Sequence, residues 1–194
     1  NVITGDQIIA VCANYLKKNG KLKHNRVVTT VMSNIGLIHA LKEMGIEHRI
    51  APVGDRYVLQ EMIKSGAVLG GEDSGHMIFL DHHTTGDGIF TALKLIEILC
   101  MESKPLSELT RILEIFPQVL MNIPVLKQVA IETVPEIADV IRSVESDLGG
   151  KGRVLVRYSG TQPLCRVMVE GPTDQETREY CTRISDVVRK TLGA

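Results

Sequence analysis

The chain has 194 residues, 44% hydrophobic and 23% charged, which suits one large or two small domains with a real core and excludes a disordered chain. Its formal charge of −1 excludes a general nucleic-acid or membrane surface, so any anion site has to be local. No apolar run approaches the ~20 residues that cross a bilayer.

In chain order, Thr4 and Gln7 have the spacing of a capping box ahead of Ile8, Ile9, Cys12 and Leu16, which predicts a first helix. Val27 to Val31 is β-branched and reads as a buried strand. Ser33 is placed to cap a helix with Leu37, Ala40, Leu41 and Met44 on one face, stopped by Gly45. A short strand near His48 to Ala51 follows, and Asp55 opens a helix carrying Leu59, Met62 and Ile63, closed by Gly66. The run Ala67-Val68-Leu69 leads into Gly70-Gly71-Glu72-Asp73-Ser74-Gly75-His76, and Met77 to Leu80 reads as another strand. Asp87 or Gly88 opens a longer helix whose apolar face is Ile89, Ala92, Leu93, Ile96 and Cys100. Strands alternating with helices predict a layered α/β domain with a mostly parallel sheet. Ligands of such sheets bind beside the carboxyl ends of strands. The loops at Val53 to Tyr57 and Glu72 to His76 each follow a strand, so both are expected on one rim.

Leu106, Leu109, Ile112 and Leu113 predict one more helix, with Pro105 in its first turn. Pro117 and Pro124 mark an extended crossover, which places a boundary near residue 115 and gives domains over 1–114 and 115–194. A strand at Met121 to Val129 comes next. Thr133-Val134-Pro135-Glu136 then starts a helix with Ile137, Val140, Ile141 and Val144 on one face, ended by Leu148-Gly149-Gly150. Alternating strands at Arg153 to Arg157 and Leu164 to Glu170 form a hairpin. Thr173 with Glu176 opens a last helix carrying Tyr180, Cys181, Ile184, Val187 and Val188. This order predicts a smaller α+β domain with its helices on one sheet face. Cys12, Cys100, Cys165 and Cys181 show no C-x-x-C spacing and sit in apolar periodic stretches, as buried free thiols of a reducing compartment do. The histidines have no metal-ligand spacing; Asp81-His82-His83 reads as a solvated loop end.

Two loops carry chemistry. Arg157-Tyr158-Ser159-Gly160-Thr161-Gln162-Pro163 joins the hairpin strands, with Arg166 just inside the second. Bidentate guanidinium, short hydroxyl donors and a glycine open to close approach are what a phosphate site needs. In the earlier loop, Glu72, Ser74 and His76 stand at alternate positions and would point the same way from an extended segment. A carboxylate, a hydroxyl and an imidazole together suit the hydroxyls of a sugar.

In this order and at this separation, the two loops resemble those of the α-D-phosphohexomutase superfamily, whose sugar loop has the form G-E-x-S-G-H and whose phosphate loop has the form R-x-S-G/N-T-x-P. Thr30-Val31-Met32-Ser33-Asn34, Val53-Gly54-Asp55-Arg56-Tyr57-Val58 and Thr84-Thr85-Gly86-Asp87-Gly88 resemble its bacterial phosphoglucosamine mutase branch in particular. The resemblance runs from about Gly5 to the C-terminus. Members have four domains; the first carries a phosphorylated serine and the second a D-G-D-x-D-R loop that holds magnesium. Neither pattern occurs in this sequence, which opens at Asn1, about where the family's third domain begins.

The resemblance therefore implies domains three and four of an enzyme that interconverts glucosamine 6-phosphate and glucosamine 1-phosphate through a phosphoserine and a bisphosphate intermediate. It implies that Glu72 and Ser74 contact sugar hydroxyls with His76 beside them, and that Arg157, Ser159, Gly160 and Thr161 hold the phosphate, with Arg166 as a further contact. Asp55 and Arg56 belong by resemblance to a third loop facing the cleft; by sequence alone they read equally as a helix cap and an exposed arginine. No catalytic residue and no metal ligand is implied within these 194 residues, and magnesium would be held by the second domain. The implied partner is a hexosamine phosphate, without nucleic acid or membrane, in a cytoplasmic enzyme whose full-length form is a candidate homodimer. Tyr158 stands where proline is common, Gln162 where glutamate is common and Asp73 where glutamine is common, which leaves the sugar preference open. Phosphomannomutase or phosphoglucomutase is the alternative activity, and a non-catalytic phosphosugar-binding module the alternative class.

Overall fold

The computed structural model describes residues 2–193. It divides between Ile115 and Phe116 into two compact units.

The first unit begins with helix α1 (Gly5–Lys18). Thr4 Oγ1 accepts from the Gln7 N–H and Gln7 Oε1 accepts from the Thr4 N–H, the reciprocal box that the sequence predicts. Strand β1 (Arg26–Thr30), helix α2 (Ile35–Glu43), strand β2 (Glu47–Ala51), helix α3 (Asp55–Ser65), strands β3 (Leu69–Gly71) and β4 (Met77–Phe79), and helix α4 (Gly88–Glu102) follow. The sheet order is β2-β1-β3-β4. β1 runs parallel to β2 and β3, while β4 is antiparallel to β3. The period of two sorts the strand residues between two helix layers. Val27, Leu69, Met77 and Phe79 face α1, α2 and α4, while Val28, Ala51 and Ile78 pack with Val58 and Met62 of α3. Both faces are covered, which is why β1 is apolar at consecutive positions rather than alternating.

Several local expectations change. Asn34, not Ser33, caps α2: its Oδ1 accepts from the Gly36 N–H at 3.0 Å, while Ser33 is buried just before it. Ile63 of α3 faces solvent, and Val58 takes the inward position. The predicted helix after Pro105 is a single turn, α5 (Leu106–Leu109), tightening into a 3-10 turn at Thr110–Ile112. The largest change concerns α4. It buries Thr91 and Ile98, with Phe90 and Leu95 against the core. Its predicted apolar face lies outside, with Ile89, Leu93 and Ile96 at 76%, 59% and 54% exposure. Cys100 is exposed with them, so only Cys12, Cys165 and Cys181 are the buried thiols expected. Burial pushes Cys12 up to about 12 and Cys165 up to about 11.

The second unit contains strand β5 (Gln118–Pro124), helix α6 (Pro135–Leu148), strands β6 (Arg153–Tyr158) and β7 (Leu164–Glu170), and helix α7 (Asp174–Leu192). β5 starts earlier than the sequence suggests and stops at Pro124 instead of running to Val129. Thr133 does not cap α6; its hydroxyl donates to Ala130 O from inside a 3-10 turn, and Pro135 at the first helical position sets the start. Thr173 does cap α7, accepting from the Glu176 N–H. The sheet is fully antiparallel in the order β5-β7-β6. Ile123, Cys165, Val167 and Val169 pack with Ile137 and Val144 of α6 and Cys181, Ile184 and Val188 of α7 in one core. Both helices thus cover one sheet face. The opposite face carries Asn122, Arg166 and Arg157 in one row of the register.

Candidate functional site

In the first unit the two strand-end loops meet. Ala51 and Gly71 end the parallel strands β2 and β3 on the same rim of the sheet, with β1 between them. The Gly54 N–H donates to Glu72 Oε1 at 3.0 Å, across that rim. Gly54 has φ +125, where a side chain would be strained, and this backbone aims its N–H at the carboxylate. Asp55 is the first residue of α3, and its Oδ2 lies 3.5 Å from His76 Nε2. Arg56 is exposed, with its guanidinium 5.6 Å from the Tyr57 ring centre. Glu72, His76 and Asp55 therefore belong to one cluster. Ser74 sits exposed in the turn above it.

The segment 72–76 is not extended, contrary to the alternating-face expectation. It is the turn of the β3–β4 hairpin: the Glu72 N–H donates to His76 O at 3.0 Å and the Gly75 N–H to Glu72 O at 2.9 Å. Glu72 and His76 come together because they flank this turn, not because they share a strand face.

The turn is held from a side the sequence did not mark. The Gly5 N–H at the start of α1 donates to Asp73 O at 2.9 Å, and the Asp6 N–H donates to Asp73 Oδ1 at 3.3 Å. A Cβ at Gly5 would lie 2.3 Å from Glu72 O and 2.6 Å from Asp73 O, so only glycine lets the turn seat there. Asp6 is buried and accepts from the Asn34 N–H at 2.5 Å, which ties the loop after β1 to the same anchor. A glycine in the first helical position, where propensity disfavours it, was the available signal. Gly86 has a similar role, since a Cβ there would stand 2.5 Å from the His76 ring. Asp87 next to it caps α4, its Oδ1 accepting from the Phe90 N–H at 2.9 Å.

In the second unit the hairpin register sets Arg157 of β6 directly opposite Arg166 of β7. Four residues earlier, Arg153 stands opposite Glu170 and pairs with it at 2.5 Å. One end of the hairpin thus holds opposite charges and the loop end holds like charges, an arrangement that destabilises a strand pair. Among the described residues neither Arg157 nor Arg166 has a carboxylate partner, and Arg166 Nε is buried without an acceptor. Partial burial, with the Arg166 charge adding to it, lowers the Arg157 guanidinium from its ordinary value.

Ser159 is 4% exposed and acts inside the loop. Its Oγ accepts from the Thr161 N–H and from Arg166 Nη2, each at 3.4 Å, and its N–H donates to Leu164 O at 2.9 Å. Gly160 and Thr161 are exposed. Among the described residues, nothing beyond its two chain neighbours lies within 4 Å of a Cβ built at Gly160, so the glycine leaves open space rather than serving a backbone twist. Two guanidinium groups, a hydroxyl and an open glycine backbone meet at one loop, which is chemistry for a multiply charged oxyanion.

A well-formed cavity lies elsewhere in the first unit. About 420 Å³ opens between α1, the far end of β4 and α4, lined by Tyr15, Leu16, Phe79, Lys94 and Ile98 among others. It is at the opposite end of the β3–β4 hairpin from Glu72 and His76. The arrangement of polar groups, not the size of the hollow, marks the candidate site.

Residues 4–116 match the phosphoglucomutase/phosphomannomutase alpha/beta/alpha domain III, and residues 120–187 match the C-terminal domain of the same family. The chain belongs to the phosphoglucomutase/phosphomannomutase family. It is 60% identical over 193 residues to a phosphoglucosamine mutase of Syntrophus aciditrophicus, covering 100% of this chain and 43% of that protein. A phosphoglucosamine mutase of Geobacillus thermodenitrificans is 52% identical, with 100% and 43% covered. The chain therefore spans less than half the length of these relatives. Among solved structures, an N-acetylphosphoglucosamine mutase of Aspergillus fumigatus superposes with a TM-score of 0.84 at 19% identity, covering 100% of this chain and 44% of that one. At that identity the likeness speaks for the fold.

Proposed function

We propose that this chain is the C-terminal part of a phosphoglucosamine mutase, its domains III and IV, divided near residue 115. The complete enzyme interconverts glucosamine 6-phosphate and glucosamine 1-phosphate in the cytoplasm. A phosphoserine in the preceding part gives its phosphoryl group to the free hydroxyl of the substrate. The bisphosphate formed turns round, and the serine takes back the other phosphoryl group. Phosphomannomutase or phosphoglucomutase activity is the alternative; the relatives named phosphoglucosamine mutase at 60% and 52% identity favour the amino sugar.

In this mechanism the hairpin loop grips whichever phosphate is not reacting. Arg157 and Arg166 supply charge, Thr161 a hydroxyl and Gly160 an open backbone. Ser159 orients the loop by accepting from Thr161 and Arg166, and its hydroxyl keeps one proton to donate to the same anion. Binding energy spent on the remote phosphate positions the reacting end. Glu72 accepts from a sugar hydroxyl through Oε2, since Oε1 takes the Gly54 N–H. Ser74 adds a donor from the turn. His76, set by Asp55 and seated on Gly86, lies beside them, and Arg56 belongs with Asp55 to the third loop that the family resemblance implies. A fungal neighbour was solved in complex with GlcNAc-6P and magnesium. The residues described do not fit that metal: among them no group of three or more His, Cys, Asp or Glu side chains is placed to hold a metal ion. Magnesium belongs in this reading to the preceding part of the enzyme, and this region alone binds without turning over.

The observation that carries the proposal is the facing pair Arg157 and Arg166, with a buried Nε–H lacking an acceptor. An anion between the two offsets their repulsion. Titrating the 194-residue chain with inorganic phosphate and following amide NMR shifts tests it. The largest shifts are expected within residues 157–166, and Arg157→Ala should weaken binding more than Thr161→Ala, because a guanidinium brings charge and two parallel hydrogen bonds. Shifts centred elsewhere, or an unaltered titration in Arg157→Ala, would reduce the loop to an ordinary hairpin turn.

A further inference from the structure

Helix α4 is apolar on two sides. Its inner side packs through Phe90, Leu95 and Ile98 on the core of the first unit. Its outer side is a straight stripe of Ile89, Ala92, Leu93, Ile96 and Cys100, all exposed. These positions follow one another at helical spacing along one line. The charged side chains of the helix are committed elsewhere: Lys94 pairs with Glu97 at 2.9 Å and Glu102 with Lys18 at 3.9 Å. A surface helix carries polar residues on its outer face, and one that is apolar all round is a buried helix. A contiguous row of bare aliphatic side chains marks a contact surface.

What covers it follows from the length of the relatives. This chain spans 43% of the Syntrophus protein and matches the family's domain III and its C-terminal domain. The remaining length of such a protein lies ahead of domain III. Resting on the reading of this chain as domains III and IV of a longer enzyme, we infer that the outer stripe of α4 is the seat on which the preceding part packs, so that α4 is an inner helix of the complete protein. A second copy of the chain is the weaker occupant. From Ile89 to Cys100 the stripe runs roughly 16 Å, and at one helix width it offers far less than the ~800 Å² per partner of a stable dimer. A segment of the same polypeptide needs no such area, because the chain itself holds it at high effective concentration.

Cys100 lies in the stripe and reports its cover, while Cys12, Cys165 and Cys181 are buried. Maleimide labelling with peptide mapping is run on the 194-residue chain and on the protein at its relatives' full length. Cys100 should label readily in the short chain and at least roughly tenfold more slowly in the long one. Equal rates overturn the inference. Protection in the short chain that grows with protein concentration also overturns it, in favour of a second copy. The double substitution Leu93→Glu with Ile96→Glu gives an independent reading. It should leave the melting temperature of the short chain unchanged and lower that of the long protein by several degrees. The same loss in both would mean that the stripe serves the fold of the first unit itself.

Discussion

Replacing Arg157 by methionine should make the chain more stable and worse at binding phosphate. Methionine keeps an unbranched stem of similar reach against the sheet, so the change removes the charge and its donors with little lost packing. Arg157 and Arg166 stand opposite each other in the β6–β7 register without a carboxylate partner among the described residues. Two unit charges roughly 8 Å apart repel by about 0.5 kcal/mol in water and about 2 kcal/mol at an effective dielectric of ~20. The pair is partly exposed and measured like-charge strand pairs are modest, so about 0.5–1 kcal/mol is the expected gain. For a domain of this size that raises the melting temperature by about 2–8 °C at low ionic strength. Added sodium chloride should stabilise the original chain by screening the pair, and that increment should vanish in Arg157→Met. Phosphate affinity should fall about ten- to 150-fold, the equivalent of about 1.5–3 kcal/mol for a charge-assisted hydrogen bond. Thermal melts across a salt series and a phosphate titration read both effects. A variant that is less stable at low salt, or that binds phosphate as before, refutes the claim that the two arginines are set against each other for an anion.

Three further changes test the first unit. Gly86→Ala puts a Cβ 2.5 Å from the His76 ring, so the ring must shift; a loss of about 1–3 kcal/mol in urea unfolding is expected, and unchanged stability would show that the ring is not seated there. In the full-length enzyme Glu72→Ala and Ser74→Ala should each lower turnover, the loss of one hydroxyl contact amounting to roughly 1–3 kcal/mol, with far-UV circular dichroism unchanged; original kinetics in both would leave the turn a mere connection. Cys12 titrates near 12 in the fold against 9.0 as its ordinary value. Above pH 9 the unfolded thiol has lost its proton and the folded one keeps it, so stability falls by about 1.4 kcal/mol per pH unit up to about 12. The contribution is fully present below pH 9. Comparing the original chain with Cys12→Ala by urea unfolding at pH 8 and 10.5, the alanine variant should lose about 2 kcal/mol less between the two; equal losses would show that the thiol is not the group responsible.

What the sequence determined by itself is what depends on near neighbours. The caps at Thr4 with Gln7 and at Thr173 with Glu176 close between residues three apart, so spacing alone reveals them. The strand-helix alternation, the hairpin at Tyr158 to Leu164 and the placing of the apolar faces of α1, α2, α6 and α7 are local in the same way. The tertiary structure decided whatever joins distant segments or chooses between equal local options. Gly5 and Asp73 meet across the chain, and neither carries a pattern that names the other. Glu72 and His76 converge through a turn, though their spacing fits a strand just as well. Ser33 and Asn34 are both good caps, and the winner is the one whose own N–H is taken by the buried Asp6. In α4 the sequence offers two apolar faces, and hydrophobicity cannot rank them, because burial is driven by area removed from water and carries no direction. Only the position of the sheet assigns Phe90, Leu95 and Ile98 to the core and leaves Ile89, Leu93 and Ile96 outside.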